Sequence, residues 1–199
     1  MNFKDLSVRE KAGTLLLAGC IIQFFGMQIA EYVYPGYSVS HNFISDLGGH
    51  NLTSALLFNI TLFIFGASVI IAFYWMKKDG MDKIFCYLLM LAGLGAIIVS
   101  IFNENTILAI HYTGAFMAFC LTAFAAMRSY GTIFKGRIQG KFSLVLGIIG
   151  FAAAIGQLTT QNVNDFLGLG PGGMERMLYY PAVLFAIMVG VYLLNSKER

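Results

Sequence analysis

The fold is decided by a stretch in the middle of the chain. Residues 84–102 read IFCYLLMLAGLGAIIVSIF, and none of them is charged. A helix needs roughly 20 mostly apolar residues to cross the hydrocarbon core of a bilayer. This stretch has that length and composition, so it predicts a transmembrane helix.

Five further apolar runs of similar length accompany it. Hydrophobic residues make up 58% of the 199 residues and charged residues only 12%, about half the charged share of a soluble domain. We therefore predict an all-α integral membrane bundle of six transmembrane helices that forms a single domain over residues 1–199. The predicted helices are 12–30, 55–76, 84–102, 108–127, 142–160 and 177–194.

A competing signal lies in the first apolar run. Residues 17–20 (LAGC) follow a basic stretch and resemble a lipoprotein cleavage box that would leave Cys20 lipidated. The apolar run continues beyond it through Phe25 and Ile29, whereas a mature lipoprotein begins with a polar tether. We therefore interpret the run as the first transmembrane helix.

The basic residues are distributed asymmetrically along the chain. Twelve of the 13 Lys and Arg lie on one side of the predicted bundle, and only Arg176 lies on the other. The positive-inside rule then predicts a multi-pass protein of the cell membrane with both termini in the cytoplasm. The basic residues form no patch of the kind that nucleic acid requires, so nucleic-acid binding is not expected.

The first outer connection is the longest and the richest in polar groups. A Pro-Gly turn is followed by residues 43–47, which would form a short interfacial helix capped by Ser40 or Asn42. Such a helix would pack down on the bundle with Ser45 and Asp46 directed back over it. The alternative is an aromatic belt with ordinary turn and cap residues.

His111 stands in the first turn of the predicted fourth helix. An ionisable residue at membrane depth is a functional candidate, and the positive helix end favours a neutral imidazole that can act as a base or a ligand. A catalytic hypothesis assigns His111 as base, Asp46 as its partner and Ser45 as a possible nucleophile. Glu104 and Asn59 are further candidates for substrate binding. The alternative is a histidine that hydrogen-bonds a neighbouring helix.

The third outer connection ends in residues 168–176, GLGPGGMER. Glycine-rich backbone that runs into a helix start offers free N–H groups to an anion. The candidate cradle for a phospholipid headgroup consists of Gly172, Gly173 and Arg176, with Glu175 and Asn42 as further binding candidates. The alternative is a turn in which Arg176 pairs with an outer carboxylate.

These groups come from separate outer segments. We expect Asp46, His111 and Arg176 to converge in one outward-facing cavity, because each is costly near a membrane and has few possible partners there. His41 and His50 could join Asp46 and His111 around a metal ion. Their spacing matches no known zinc signature, so no metal ligand is predicted and no cofactor is identified.

Several of these motifs together resemble a known family. The resemblance is carried by residues 34–38 (YPGYS), 42–48 (NFISDLG), Phe58-Asn59, His111 and 172–176 (GGMER). They resemble the six-helix membrane-protein family catalogued as domain of unknown function 998, over nearly the whole chain. Residues 44–48 also resemble an outer-loop motif of the DRAM/Sfk group, whose members are implicated in lipid remodelling of GPI anchors and in autophagy. The resemblance implies a connection to membrane lipids and assigns no activity.

Three functions remain open at this stage. The first is a polytopic membrane protein that binds or modifies a lipid headgroup or acyl ester at its outer face, with membrane lipids as partners. The second is a small-molecule transporter whose path would use Gln23, Gln28, Asn59, Gln157 and Gln161. The third is a non-catalytic membrane scaffold. A closed polar pocket that holds a lipid would favour the first, a continuous aqueous path the second, and a fully paired network without a cavity the third. The oligomeric state is not predicted.

Overall fold

Six long helices make up the architecture. The structure, a computed structural model, describes residues 2–159 and 168–196. The helices are α1 (Val8–Val33), α2 (Leu52–Lys78), α3 (Lys83–Ile101), α4 (Leu108–Gly131), α5 (Ile138–Thr159) and α6 (Gly170–Asn195). All six are long and apolar enough to cross a membrane. This confirms the all-α bundle of six membrane helices.

The helices form a closed ring. Each helix packs against the next one in the chain, and α1 packs against α6. α4 also contacts α6, which leaves α5 at the periphery. Small residues allow the close approaches: a Cβ on Gly66 of α2 would lie 2.7 Å from the carbonyl oxygen of Gly93 of α3. This is the packing by which membrane helices associate.

The two ends of the ring differ in composition. Six crossings place both termini at one end, termed the terminal end. There Arg9 pairs with Asp79 at 2.8 Å, and both side chains are less than a tenth exposed. Arg128 pairs with Asp82 at 2.8 Å, and its hydrogen bond lowers the pKa of the Asp82 carboxyl. The opposite end, termed the loop end, carries the first loop, residues 34–51.

Several helices extend beyond the apolar runs that predicted them. α1 begins four residues before residue 12, where the hydroxyl of Ser7 and the carboxylate of Glu10 form a capping box. The largest difference concerns α6, which begins at Gly170 instead of residue 177. Pro171 occupies the first turn of α6, where its missing N–H costs no hydrogen bond. The glycines at 172 and 173, predicted as a loop, therefore belong to a helix.

The first loop folds down onto the loop end of the bundle. It contains a 3₁₀ helix at Ser45–Gly48. Ile44 and Leu47 are only 3% and 0% exposed and pack among side chains of α1, α2 and α6. The expectation of a structured first loop is confirmed. The expected caps differ: Ser40 donates to the carbonyl of Leu169, and no side chain of the loop caps the 3₁₀ helix.

Candidate functional site

A narrow cavity follows the axis of the ring from the loop end into the bundle. Side chains of α1, α2, α3, α4 and α6 line it together with the first loop, and α5 contributes none of its described residues. The volume of the cavity is about 80 Å³. Along α6 the lining extends from Glu175 to Val189, about 21 Å at 1.5 Å per residue.

The cavity is polar only in the half nearer the loop end. The polar groups there are Gln23, Ser45, His111, Glu175 and Tyr179. Deeper in the bundle the lining residues are aliphatic or aromatic apart from Thr122, whose hydroxyl donates to the carbonyl of Ala118 at 2.6 Å. The cavity therefore has the polarity of an amphiphile, with one polar end and a long apolar body.

His111 lines this cavity from the first turn of α4. It is 4% exposed, and its Nδ1 lies 2.9 Å from the carbonyl oxygen of Phe102 at the end of α3. A carbonyl oxygen can only accept, so Nδ1 carries the proton and Nε2 keeps its lone pair. The imidazole can therefore act as a base towards a molecule in the cavity while it also ties two helices together.

Ser45 and Glu175 reach the same cavity from the first loop and from α6. A carboxylate oxygen of Glu175 accepts from the backbone N–H of Ile44 and, at 3.4 Å, from that of Ser45. Glu175 thus holds the start of the 3₁₀ helix. The hydroxyl of Ser45 donates to Glu104 at 3.4 Å. The structure brings Ser45, His111 and Glu175 together, which includes two of the three residues in the catalytic hypothesis.

Asp46 belongs to a neighbouring cluster and does not line the cavity. Its Oδ2 accepts from the side-chain amide of Asn42 at 2.9 Å and from the N–H of Phe43 at 3.0 Å. Asp46, His50 and Glu104 place potential ligand atoms within 4.8 Å of one another. Two carboxylates and an imidazole at this spacing could hold a divalent cation. The sequence suggested Asp46 and His50 around a metal ion but combined them with His41 and His111, and it did not indicate Glu104, which comes from a different connection.

Glu104 is the most perturbed carboxyl outside the membrane-spanning segments. Burial, followed by a hydrogen bond with Asp46 and its charge, raises the pKa of Glu104 to about 8. Its Oε1 lies 3.1 Å from Nδ1 of His50 but makes no hydrogen bond of good geometry. Near neutral pH the carboxyl of Glu104 keeps its proton, and this avoids the repulsion that two carboxylates, those of Glu104 and Asp46, would otherwise have in this small space.

Arg176 is buried and bound within the fold. Nη2 donates to the carboxylate of Glu31 at 2.6 Å and to the hydroxyl of Tyr37 at 2.8 Å. Nη1 donates to the carbonyls of Val39 at 2.9 Å and Gly172 at 3.0 Å. Burial raises the pKa of the Tyr37 phenol to about 12, so this hydroxyl stays protonated. The guanidinium therefore joins α1, α6 and the first loop instead of facing the cavity.

The glycines of the predicted anion cradle serve close packing. The N–H of Gly172 donates to the carbonyl of Ser40 at 2.9 Å. A Cβ at Gly172 would overlap the carbonyl oxygen of Asn42, so only glycine lets the first loop lie this close to α6. Gly173 follows in the same helical turn with its missing side chain next to Leu169.

The amides of the predicted transport path are not gathered in one place. Of the described members only Gln23 lines the cavity. Asn59 donates to the carbonyl of Gly48 at 3.0 Å, and Gln28 lies on the exposed surface of α1. Gln161, like the acidic Asp165 of the third connection, lies outside the described residues.

Gln23 and Tyr179 belong to the polar half of the cavity wall. Gln23 is 0% exposed and Tyr179 is 5% exposed. The side-chain amide of Gln23 and the hydroxyl of Tyr179 lie close enough to interact with each other, although neither forms a hydrogen bond of good geometry. Sequence reasoning missed Tyr179. The available signal was its position four residues after Glu175, on the same face of one helix.

A family model covers nearly all of this architecture. The model described as Protein of unknown function (DUF998) matches residues 17–192, which include part of every helix and the whole first loop. The chain belongs to this family. Its first loop, His111 and residues 172–176 all lie within the matched range, as the sequence resemblance indicated. No curated protein and no solved structure matches the chain, so family membership adds no activity to the geometry.

Proposed function

We propose that this protein binds the chain of one lipid in its axial cavity, with the polar end of the lipid beneath the first loop. The observation that carries the proposal is the division of the cavity into a polar outer part and an apolar inner part. An acyl chain in one leaflet spans about 15 Å, half of a hydrocarbon core of roughly 30 Å. The length of the cavity suits such a chain, and its narrowness favours one chain over two.

The alternatives explain less of the geometry. A transporter needs a polar path across the membrane, whereas the described lining beyond Gln23 is almost entirely apolar. A scaffold explains why Glu175 and Arg176 bind the first loop. It does not explain a cavity that ends at an imidazole with a free lone pair.

We also propose that the loop end faces away from the cytoplasm. The support is the placement of 12 of the 13 basic residues at the terminal end or in connections on that side. In this orientation the polar end of the cavity is level with the headgroups of the outer leaflet. The ligand would then be a lipid of that leaflet.

Acyl-ester hydrolysis is a second candidate function, favoured by the Nδ1–H form of His111. The hydroxyl of Ser45 would attack the ester carbonyl and pass its proton to Nε2 of His111. His111 would then protonate the departing alcohol, and water would release the acyl group from Ser45. Replacing His111 by Gln keeps a hydrogen-bond donor and removes the base, so hydrolysis should stop while lipid binding persists.

The proposal is tested by filling the cavity. Ala96 of α3 lines it and is 3% exposed, so Ala96→Phe should displace a bound chain. Ala152 of α5 is exposed on the outside of the ring, so Ala152→Phe is the matched control. Protein released from nanodiscs into a native mass spectrometer should carry one lipid in the wild type and the control and none in Ala96→Phe. Wild-type protein that carries no lipid would overturn the proposal.

A further inference from the structure

Three side chains with metal-binding groups meet at the loop end, next to the cavity. Asp46 and His50 belong to the first loop, and Glu104 belongs to the connection between α3 and α4. One potential ligand atom from each residue lies within 4.8 Å of the other two. The backbone N–H of His50 donates to the carbonyl of Asp46 at 3.2 Å, and this single helical turn places the two loop residues next to each other.

The spacing of these atoms is that of ligands around one cation. Nitrogen and oxygen ligands lie about 2.0–2.2 Å from Zn²⁺, so neighbouring ligand atoms lie about 3–3.6 Å from each other. Nδ1 of His50 is 3.1 Å from Oε1 of Glu104. These two atoms do not form a hydrogen bond of good geometry, so a shared proton does not account for their close approach. A cation that accepts a lone pair from each of them does account for it.

Further contacts hold two of the ligands in place. Oδ2 of Asp46 accepts two hydrogen bonds from groups of the first loop. Oε2 of Glu104 accepts from the hydroxyl of Ser45 at 3.4 Å. The side-chain amide of Asn105 donates to the carbonyl of Gly49 at 2.9 Å, which ties the second connection to the first loop. Outer contacts of this kind orient the ligands of metal sites in proteins.

The mixture of ligand types favours a transition-metal ion. Imidazole nitrogen suits Zn²⁺ and its first-row neighbours, whereas Mg²⁺ and Ca²⁺ prefer oxygen ligands alone. Among the divalent ions, affinity for such a site rises from Mn²⁺ to Zn²⁺. Three protein ligands also leave one position of a tetrahedral Zn²⁺ open for water or for a substrate oxygen, as in catalytic zinc sites.

We infer that Asp46, His50 and Glu104 form a binding site for one divalent transition-metal ion, with Zn²⁺ bound more tightly than Mn²⁺ or Mg²⁺. The ion joins the first loop to the connection between α3 and α4. Its binding releases the proton that Glu104 otherwise keeps near neutral pH. The site adjoins the cavity through Ser45, which contacts Glu104 and lines the cavity, but it does not require a lipid there.

Direct binding measurements on the full-length protein test the site. Protein in detergent is stripped with a chelator and dialysed against Zn²⁺ in the low micromolar range, and the bound zinc is measured by elemental mass spectrometry. The wild type should retain one ion per chain, and Zn²⁺ should raise its melting temperature. An excess of Mg²⁺ of about a hundredfold should not displace the zinc.

Substitutions assign the ion to the three side chains. Loss of an outer contact alone weakens metal binding by about 10–100-fold, so loss of a ligand in His50→Ala or Glu104→Gln should weaken it at least about tenfold. His41→Ala is the matched control, because His41 is an exposed histidine of the same loop outside the cluster, and its affinity for Zn²⁺ should equal that of the wild type. Ala96→Phe, which fills the lipid cavity, should also bind Zn²⁺ as the wild type does.

Two results would overturn the inference. The first is wild-type protein that retains no Zn²⁺ after dialysis. The second is His50→Ala protein that binds Zn²⁺ as tightly as the wild type. Neither result bears on the lipid proposal, because lipid retention is measured separately in the native mass spectrometer.

Discussion

Replacing Arg176 by Met removes the only guanidinium that the described residues place at the loop end, and it should severely destabilise the fold. The side chains of Arg176 and Glu31 are 5% and 14% exposed, and their nitrogen and oxygen lie 2.6 Å apart. Met retains much of the apolar volume but leaves the Glu31 carboxylate without a partner. Breaking a buried pair in this way costs about 3–5 kcal/mol. At about 2–4 °C per kcal/mol for a chain of this size, the melting temperature should fall by about 6–20 °C.

Two further variants separate charge from packing. Arg176→Lys keeps the positive charge but loses the planar guanidinium that reaches both Glu31 and the backbone carbonyls. Its melting temperature should therefore lie between those of Arg176→Met and the wild type. Adding Glu31→Leu to Arg176→Met removes both charges, so the double variant should be more stable than Arg176→Met alone. Such recovery would show that the loss arises from an uncompensated carboxylate.

The matched control is an ion pair at the other end of the bundle. Arg128 and Asp82 are also in close contact, at 2.8 Å, but their side chains are 39% and 22% exposed. Arg128→Met should therefore cost only about 0–1 kcal/mol. Thermal unfolding in one detergent, followed by tryptophan fluorescence and by loss of monodisperse protein, compares the variants. If Arg176→Met melts within about 2 °C of Arg128→Met, a difference worth less than about 1 kcal/mol, the reasoning about the buried clamp is wrong.

Three other predictions concern the loop end. The pKa of Glu104 in the folded state is raised to about 8 from the ordinary carboxyl value of 4.5. The stability of the fold should therefore decrease as the pH rises between these two values. Glu104→Gln should remove this part of the pH dependence of the melting temperature. Gly172→Ala should destabilise by about 1–3 kcal/mol through overlap with the first loop, whereas Gly131→Ala, with open space at its Cβ, should not destabilise in the same melting assay. An impermeant thiol reagent applied to intact cells should label His50→Cys and not Arg137→Cys, and the reverse pattern would contradict the proposed orientation.

The architecture was predictable because lipid imposes a simple requirement. Every backbone polar group in the hydrocarbon must be paired within the helix, so uninterrupted apolar runs of about 20 residues leave few alternatives. The first residue of α6 was harder to predict, because residues 168–173 contain four glycines and a proline, a composition typical of turns. Tertiary contact decides this case: the N–H of Gly172 is paired with Ser40 in the first loop. Hydropathy carries no information about that contact.

The candidate site was predictable in its residues but less so in their grouping. His111 and Ser45 line one cavity, as expected for groups at the same membrane depth. The carboxylate that forms an ion pair with Arg176 depends on how α1 and α6 are rotated about their own axes within the ring. The sequence pattern does not determine that rotation, and Glu31 was not among the candidate site residues. The pairing of Asp46 with Glu104 likewise depends on the packing of two loops that are distant in sequence.

The positive and negative charges at the loop end have different physical roles, and this difference bears on the ligand. The guanidinium of Arg176 stabilises the fold, since it binds Glu31, Tyr37 and the backbone of the first loop, while its buried Nε forms no hydrogen bond. The acidic groups above the cavity are only partly compensated, by backbone N–H groups at Glu175 and by a proton at Glu104. A site selected for phosphate would be expected to keep its cation free and to place its carboxylates elsewhere. For the lipid that we propose in the cavity, this distribution favours a headgroup that donates hydrogen bonds.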